Sequence, residues 1–127
     1  MLLVPLDATD AVPLDDAFIK SFRAVIEAGR RKPSPLATLA SRVLDRAAGC
    51  GAAYAWDVLA AASIANDAVL RNVRDHGVCV NVTGDNAGAT SRAAHDAAGT
   101  TVSVAYGADA ESFKELFVRV VTDGCSM

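Results

Sequence analysis

Gly51-Ala-Ala-Tyr-Ala-Trp-Asp-Val-Leu-Ala-Ala-Ala-Ser-Ile-Ala65 sets one carboxylate, Asp57, inside an alanine-rich run that is otherwise apolar. A helix that is apolar on nearly every side is normally buried, and burying an ionised carboxylate without a partner costs several kcal/mol. Asp57 is therefore expected to be buried and to meet either a cation or hydrogen-bond donors. One reading makes it a partner for the free N–H groups and positive dipole end of its own helix. The other makes it a cation ligand. Tyr54 and Trp56, just upstream, read either as buried anchors with one polar handle or as the wall of a pocket. Gly49 and Gly51 permit a sharp change of direction into this helix.

Two more helices are expected upstream. Asp15 is placed to cap one that carries Phe18, Ile19, Phe22, Val25 and Ile26 on a single face and stops at Gly29. Ser34-Pro35 opens another, whose apolar side is expected to hold Leu36, Leu39, Ala40, Val43, Leu44 and Ala47, with Arg42, Asp45 and Arg46 solvated. The chain begins with Met1-Leu-Leu-Val-Pro-Leu-Asp-Ala-Thr9, a short apolar run ending in a polar turn, and that run suits a buried strand. Pro5 marks an edge or irregular end of it.

Downstream, Asn72 to Gly77 reads as a polar bridge into a strand over Val78–Val82, and Thr83 to Gly88 as a turn. Thr100 to Tyr106 alternates as a strand should, with Val102 and Val104 on one face and Thr101, Ser103 and Ala105 on the other. Asp109 caps a last helix with Phe113, Leu116, Phe117, Val120 and Val121 on its buried side, ending at Gly124. Gly84 and Gly88 do not make a phosphate loop, since the lysine is absent and the glycine spacing is one short.

At 127 residues, 52% of them hydrophobic, the chain is one domain in length, residues 1–127, with apolar material enough for its own core. A formal charge of -3 and the lack of any basic stripe with interleaved aromatics argue against a nucleic-acid partner. Arg30-Arg31-Lys32 reads as a solvated loop. No apolar run is long enough to cross a bilayer, so no membrane is expected as partner. The N-terminus lacks a signal-peptide layout, which makes the cytoplasm the expected compartment. Cys50, Cys79 and Cys125 show no metal or redox spacing and read as reduced packing residues. His76 and His95 read as surface histidines without a second ligand at helical spacing.

Several segments share an order with one known family. Trp56-Asp57-Val58-Leu59-Ala60-Ala61, followed by Asn66-Asp67-Ala68-Val69-Leu70, resembles the C-terminal signature of the inosine-uridine preferring nucleoside hydrolases, with Val58 in place of the usual proline. Val4-Pro5-Leu6-Asp7-Ala8-Thr9 is similar to that family's mid-chain strand, Val80 to Thr90 to its late hairpin, and Val102 to Phe117 to its closing strand and helix. The resemblance runs along the whole chain but covers only the C-terminal portion of the family.

It implies an α/β fold, a partial nucleoside-hydrolase-like open sheet flanked by helices and lacking the N-terminal Rossmann-like half. It also implies that Asp57 is a ligand to Ca2+ and that Trp56 and Tyr54 line the substrate pocket for a ribonucleoside. Purine-preferring members carry a histidine where Trp56 stands, and Trp56 has no titratable proton to give a leaving base. The family's D-x-D-x-G-x-D-D cluster, source of most calcium carboxylates and of the water-activating base, has no counterpart here. Ca2+ takes about six to eight oxygen ligands and Asp57 supplies one or two, so weak or absent binding by this chain alone is expected.

The acidic pairs Asp15-Asp16 and Asp109/Glu111 read as helix-start charges rather than further ligands. The implied activity is hydrolysis of the N-glycosidic bond of ribonucleosides, inactive until the missing half is supplied. Two alternatives stay open. The chain is a non-catalytic interaction module, a possible homo-oligomer pairing through sheet edges and apolar helix faces, or it is an unrelated small α/β binding domain.

Overall fold

In the computed structural model, the described residues are 1–29, 33–49, 53–93 and 100–123. Arg30-Arg31-Lys32, Cys50, Gly51, His95, Gly124 and Cys125 lie outside them, so the expectations placed there are not addressed. In chain order the elements are β1 (Leu2–Leu3), α1 (Leu6–Thr9), α2 (Asp16–Ala28), α3 (Pro35–Gly49), α4 (Trp56–Ala65), a 3-10 turn (Asp67–Val69), β2 (Leu70–Val80), β3 (Thr90–Arg92), β4 (Thr100–Ala108) and α5 (Ala110–Asp123). The four strands form one mixed sheet in the order β1-β4-β2-β3, with β1 parallel to β4 and the other pairs antiparallel. This is an α/β architecture with an open sheet and flanking helices.

The helix starts form as their side chains dictate. The Phe18 N–H donates to Asp15 Oδ1 at 2.8 Å, and the Ala37 N–H to Ser34 Oγ at 3.0 Å. The Ser112 N–H donates to Asp109 Oδ1 at 3.0 Å. In each case an oxygen satisfies one of the N–H groups that a helix start leaves without a partner. Asp15 and Asp109 thus serve as helix-start charges.

Two apolar clusters make the core. One joins Ala8, Val12, Ala55, Leu59, Val69, Leu70, Ala105, Phe113 and Leu116. The other joins Phe18, Ile19, Phe22, Ala37, Leu44 and Val121. Phe117 and Leu14 pack against both, and the Phe117 ring lies 5.6 Å from that of Phe22 and 6.1 Å from that of Phe113. α5 is therefore the element that ties sheet to helices.

Several expectations need correction. The first strand is only Leu2–Leu3 and lies at a sheet edge with Leu2 well exposed, while Pro5 starts α1 and turns Leu6–Thr9, expected to belong to the strand run, into a helix. Asn72 to Gly77 is not a bridge. β2 runs unbroken from Leu70 to Val80, because pairing with β4 from Leu70↔Ala108 to Val78↔Thr100 supplies backbone bonds while the side chains from Arg71 to Asp75 stay in water. Asn72 adopts φ 52, yet the register is the same on either side of it, so no residue is inserted there. The strand ends at Val80, and Asn81 and Val82 belong to the hairpin loop. There Gly84 and Gly88 take φ of 76 and 89, as the turn requires. On β4, Val102 and Val104 are buried as expected, and Ala105 on the other face is buried too, against the first core cluster. His76 is half-buried, with its ring edge-on to Tyr106 at 5.6 Å.

The buried side of α3 is only partly the expected one, with Leu44 buried and Ala40 packed against the second cluster as anticipated. Ala37 and Leu44, seven residues apart, face the second cluster, whereas Leu36, Leu39 and Val43 are exposed. Asp45 is exposed and reaches across to pair with Arg23 of α2.

Candidate functional site

The start of α4 is fixed by a short backbone exchange with the segment between α1 and α2. The Leu14 N–H donates to the Ala53 carbonyl at 2.9 Å, and the Ala55 N–H to the Val12 carbonyl at 3.0 Å, bracketing a bridge between Pro13 and Tyr54. Val12 and Ala55 are both fully buried. With its backbone pinned on both sides, Ala55 opens the helix without a side-chain cap, and Trp56 and Asp57 project from a fixed first turn.

Trp56 is about half exposed, and its indole N–H donates to Asp10 Oδ1 at 3.2 Å. Tyr54 is half-buried, its ring 5.9 Å from that of Trp56 and tilted by 34°. The structure therefore brings the two expected pocket aromatics together. Tyr54 also lines a hollow of about 510 Å³ with Pro13, Leu14, Asp15 and Asp16, in which Trp56 takes no part.

Asp57 sits in the first turn of α4 and is exposed to solvent. The expectation of a buried carboxylate is thus overturned. α4 is apolar nearly all round, yet only Leu59 and Ser63 are buried within it, and Asp57 lies on the open side with Val58, Ala61, Ile64 and Ala65. Its charge still suits a helix N-terminus. Asp10, which closes α1, joins this corner through Trp56 and was not anticipated. The two residues are 46 apart in the chain, and nothing in their spacing announces the contact. Asp7 lies on the exposed side of α1 and lines a separate hollow of about 240 Å³ with Leu3, Pro5, His76, Arg92 and Tyr106. Among the described residues, no group of three or more His, Cys, Asp or Glu side chains could hold a metal ion. Cys79 is a free, half-buried thiol on β2. No helix of the described residues is long and apolar enough to cross a membrane.

An open mixed sheet with flanking helices defines an α/β protein, with a carboxylate and two aromatic rings gathered where one helix begins. The solved structure of an inosine-uridine preferring nucleoside hydrolase from Bacillus anthracis superposes on the chain with a TM-score of 0.73. The two are 21% identical, and the match covers 97% of this chain and 36% of the hydrolase chain. The likeness is one of fold, and the chain spans little more than a third of the hydrolase. No protein-family model matches the chain, and no curated protein matches it in sequence.

Proposed function

We propose that the chain is a nucleoside-hydrolase segment, corresponding to the C-terminal portion of that family, which contributes one carboxylate and an aromatic wall to a calcium-dependent, ribonucleoside-cleaving pocket in the cytoplasm. The observation that carries this reading is the fold match over 97% of the chain, taken with Asp57 and Trp56 at the solvent-facing start of α4.

Cleaving an N-glycosidic bond passes through an oxocarbenium-like sugar and needs an activated water and an eased departure of the base. The described residues of this chain do not by themselves make a cage for a cation that takes about six to eight oxygens. On this reading, the further carboxylates come from polypeptide beyond the described residues. What the chain's own residues supply is position. Asp57 presents its oxygens at a helix start, and among the described residues no side chain or backbone N–H is bonded to them. The Trp56 indole, held through its N–H by Asp10, offers its ring for stacking against a base, with Tyr54 behind it. Trp56 cannot act as the acid that protonates a departing purine.

The reading is tested by assaying nucleoside hydrolysis with calcium when a polypeptide carrying a D-x-D-x-x-x-D-D segment is added in trans. Activity is expected only in the mixture, and Asp57→Asn should abolish most of it. Equal activity with Asp57→Asn removes the role assigned to this carboxylate. Calorimetry of calcium binding to the chain alone should show weak binding at most. A second reading, a module that pairs through apolar surface, is favoured by the open flank of α3 and α4.

A further inference from the structure

We infer that, on the ribonucleoside reading proposed above, Asp10 is a positioning residue for base binding: by accepting the indole N–H it holds the Trp56 ring in the one orientation on which a planar base stacks. The indole N–H donates to Asp10 Oδ1 at 3.2 Å, and among the described residues this is the one hydrogen bond of the Asp10 side chain. Both partners are exposed, Trp56 to 48%. A bond between exposed groups adds little to folding, because it replaces bonds that both groups make to water in the unfolded chain. What it fixes is direction.

The two residues ride on segments that are already joined. The Ala55 N–H, just before Trp56, donates to the carbonyl of Val12, just after Asp10 and Ala11, at 3.0 Å, and Val12 and Ala55 are both fully buried. The Asp10 N–H in turn donates to the Leu6 carbonyl at 2.8 Å and closes α1. The carboxylate therefore stands on a fixed backbone, and its bond to the indole closes a small ring through Asp10, Ala11, Val12, Ala55 and Trp56. Without that bond, a half-exposed indole samples roughly six combinations of χ1 and χ2. With it the ring keeps one of them, with the Tyr54 ring 5.9 Å away on one side. A ligand that stacks only on the held orientation loses affinity in proportion to the time the ring spends elsewhere. The bond thus turns a mobile surface tryptophan into a stacking platform, and no part of that effect needs calcium.

Trp56 is the only tryptophan of the chain, so its fluorescence reports this ring alone. In the full chain, Asp10→Ala is expected to lower the anisotropy of that emission while circular dichroism stays as in the wild type. Asp10→Asn, which keeps an accepting oxygen, is expected to restore it. Titration with inosine, and with ribose as the control that has no base, is read by quenching of the same emission. Inosine and not ribose should quench, with a Kd raised by about three- to sixfold in Asp10→Ala and recovered in Asp10→Asn. In Trp56→Phe, which keeps a ring but has no N–H, adding Asp10→Ala should change the inosine Kd, read by calorimetry, by less than about twofold. Equal anisotropy and equal inosine affinity in wild type and Asp10→Ala overturn the positioning role. So does a ring that loosens in Asp10→Ala while inosine binds to none of the variants, because the held ring then serves no base. A failure of Asp57-dependent hydrolysis in the trans assay is a different result: it removes the hydrolase reading and leaves the quenching by inosine as measured.

Discussion

α2 and α4 are both rich in apolar residues, yet only one of them is packed as its composition suggests. In α2, Phe18, Ile19 and Phe22 are buried together, the polar residues lie opposite, and Asp15 closes the first turn. In α4, apolar residues occupy nearly every direction, no side chain caps the start, and burial is limited to Leu59 and Ser63. Periodicity, rather than hydrophobic content, decides which side of a helix is covered, because a neighbour can cover only a stripe. A helix without a polar face leaves its open side apolar unless something else packs there.

The sharpest way to break this contrast is to truncate one residue from each environment. Phe22→Ala, in the apolar cluster of α2, α3 and α5, should cost about 3–5 kcal/mol, and Leu59→Ala on the buried side of α4 about 2–5 kcal/mol. Ile64→Ala, five residues further along the same helix, should change stability by no more than about 0.5 kcal/mol in dilute solution. Urea unfolding followed by circular dichroism measures all three. A large loss for Ile64→Ala means that the open side of α4 is covered within the chain, and the contrast fails.

The same contrast separates what could be read from the residues from what could not. The caps at Asp15, Ser34 and Asp109, the stripe of α5, that of α2 except for Val25, which is exposed, and the turn at Gly84 and Gly88 were legible because each depends on atoms a few residues away. The order of the family-like segments led to the α/β fold that the hydrolase structure shares. Long-range partners decided the rest. Asn72 to Gly77 is polar enough for a loop and becomes strand because β4 lies alongside it. α3 has more apolar residues than one neighbour can cover, so the spacing could not say that Ala37 and Leu44 would win over Leu36, Leu39 and Val43. At the candidate site, the pairing of Tyr54 with Trp56 followed from their closeness in the chain. The exposure of Asp57 and the contact from Asp10 depend on how α1 meets α4, which no local pattern encodes.

A smaller effect separates capped helices from the uncapped α4. Ser34→Ala removes the oxygen that accepts from the Ala37 N–H and should cost about 1 kcal/mol. No comparable loss is available at Ala55, where the backbone exchange with Val12 holds the start of α4 in place of a side chain. Amide exchange should therefore show the first turn of α3 loosened in Ser34→Ala, with α4 unaffected. Loosening of α4 to the same degree means that the two helix starts are coupled, contrary to their separate anchoring.

The smallest expected effect is at the capped start of α5. The Asp109 carboxyl is held below the usual carboxylate range, chiefly by the Ser112 backbone N–H, with further lowering from the Ser112 hydroxyl and the Arg71 guanidinium against the opposing pull of partial desolvation. Because the folded state favours the ionised form, the stabilisation is fully present above the carboxylate range of the unfolded chain. It is lost as pH falls through the lower, folded-state value. Asp109→Asn keeps an oxygen to accept the Ser112 N–H but cannot titrate, so its Tm should lie slightly below that of the wild type at neutral pH, and the two curves should converge in acid. Added salt should shrink the part of the difference owed to Arg71, an exposed ion pair, and leave the part owed to the Ser112 N–H in place. Curves that stay parallel from neutral pH into acid mean that this carboxylate folds with no preference for its charged form, and the cap then acts on α5 through geometry alone.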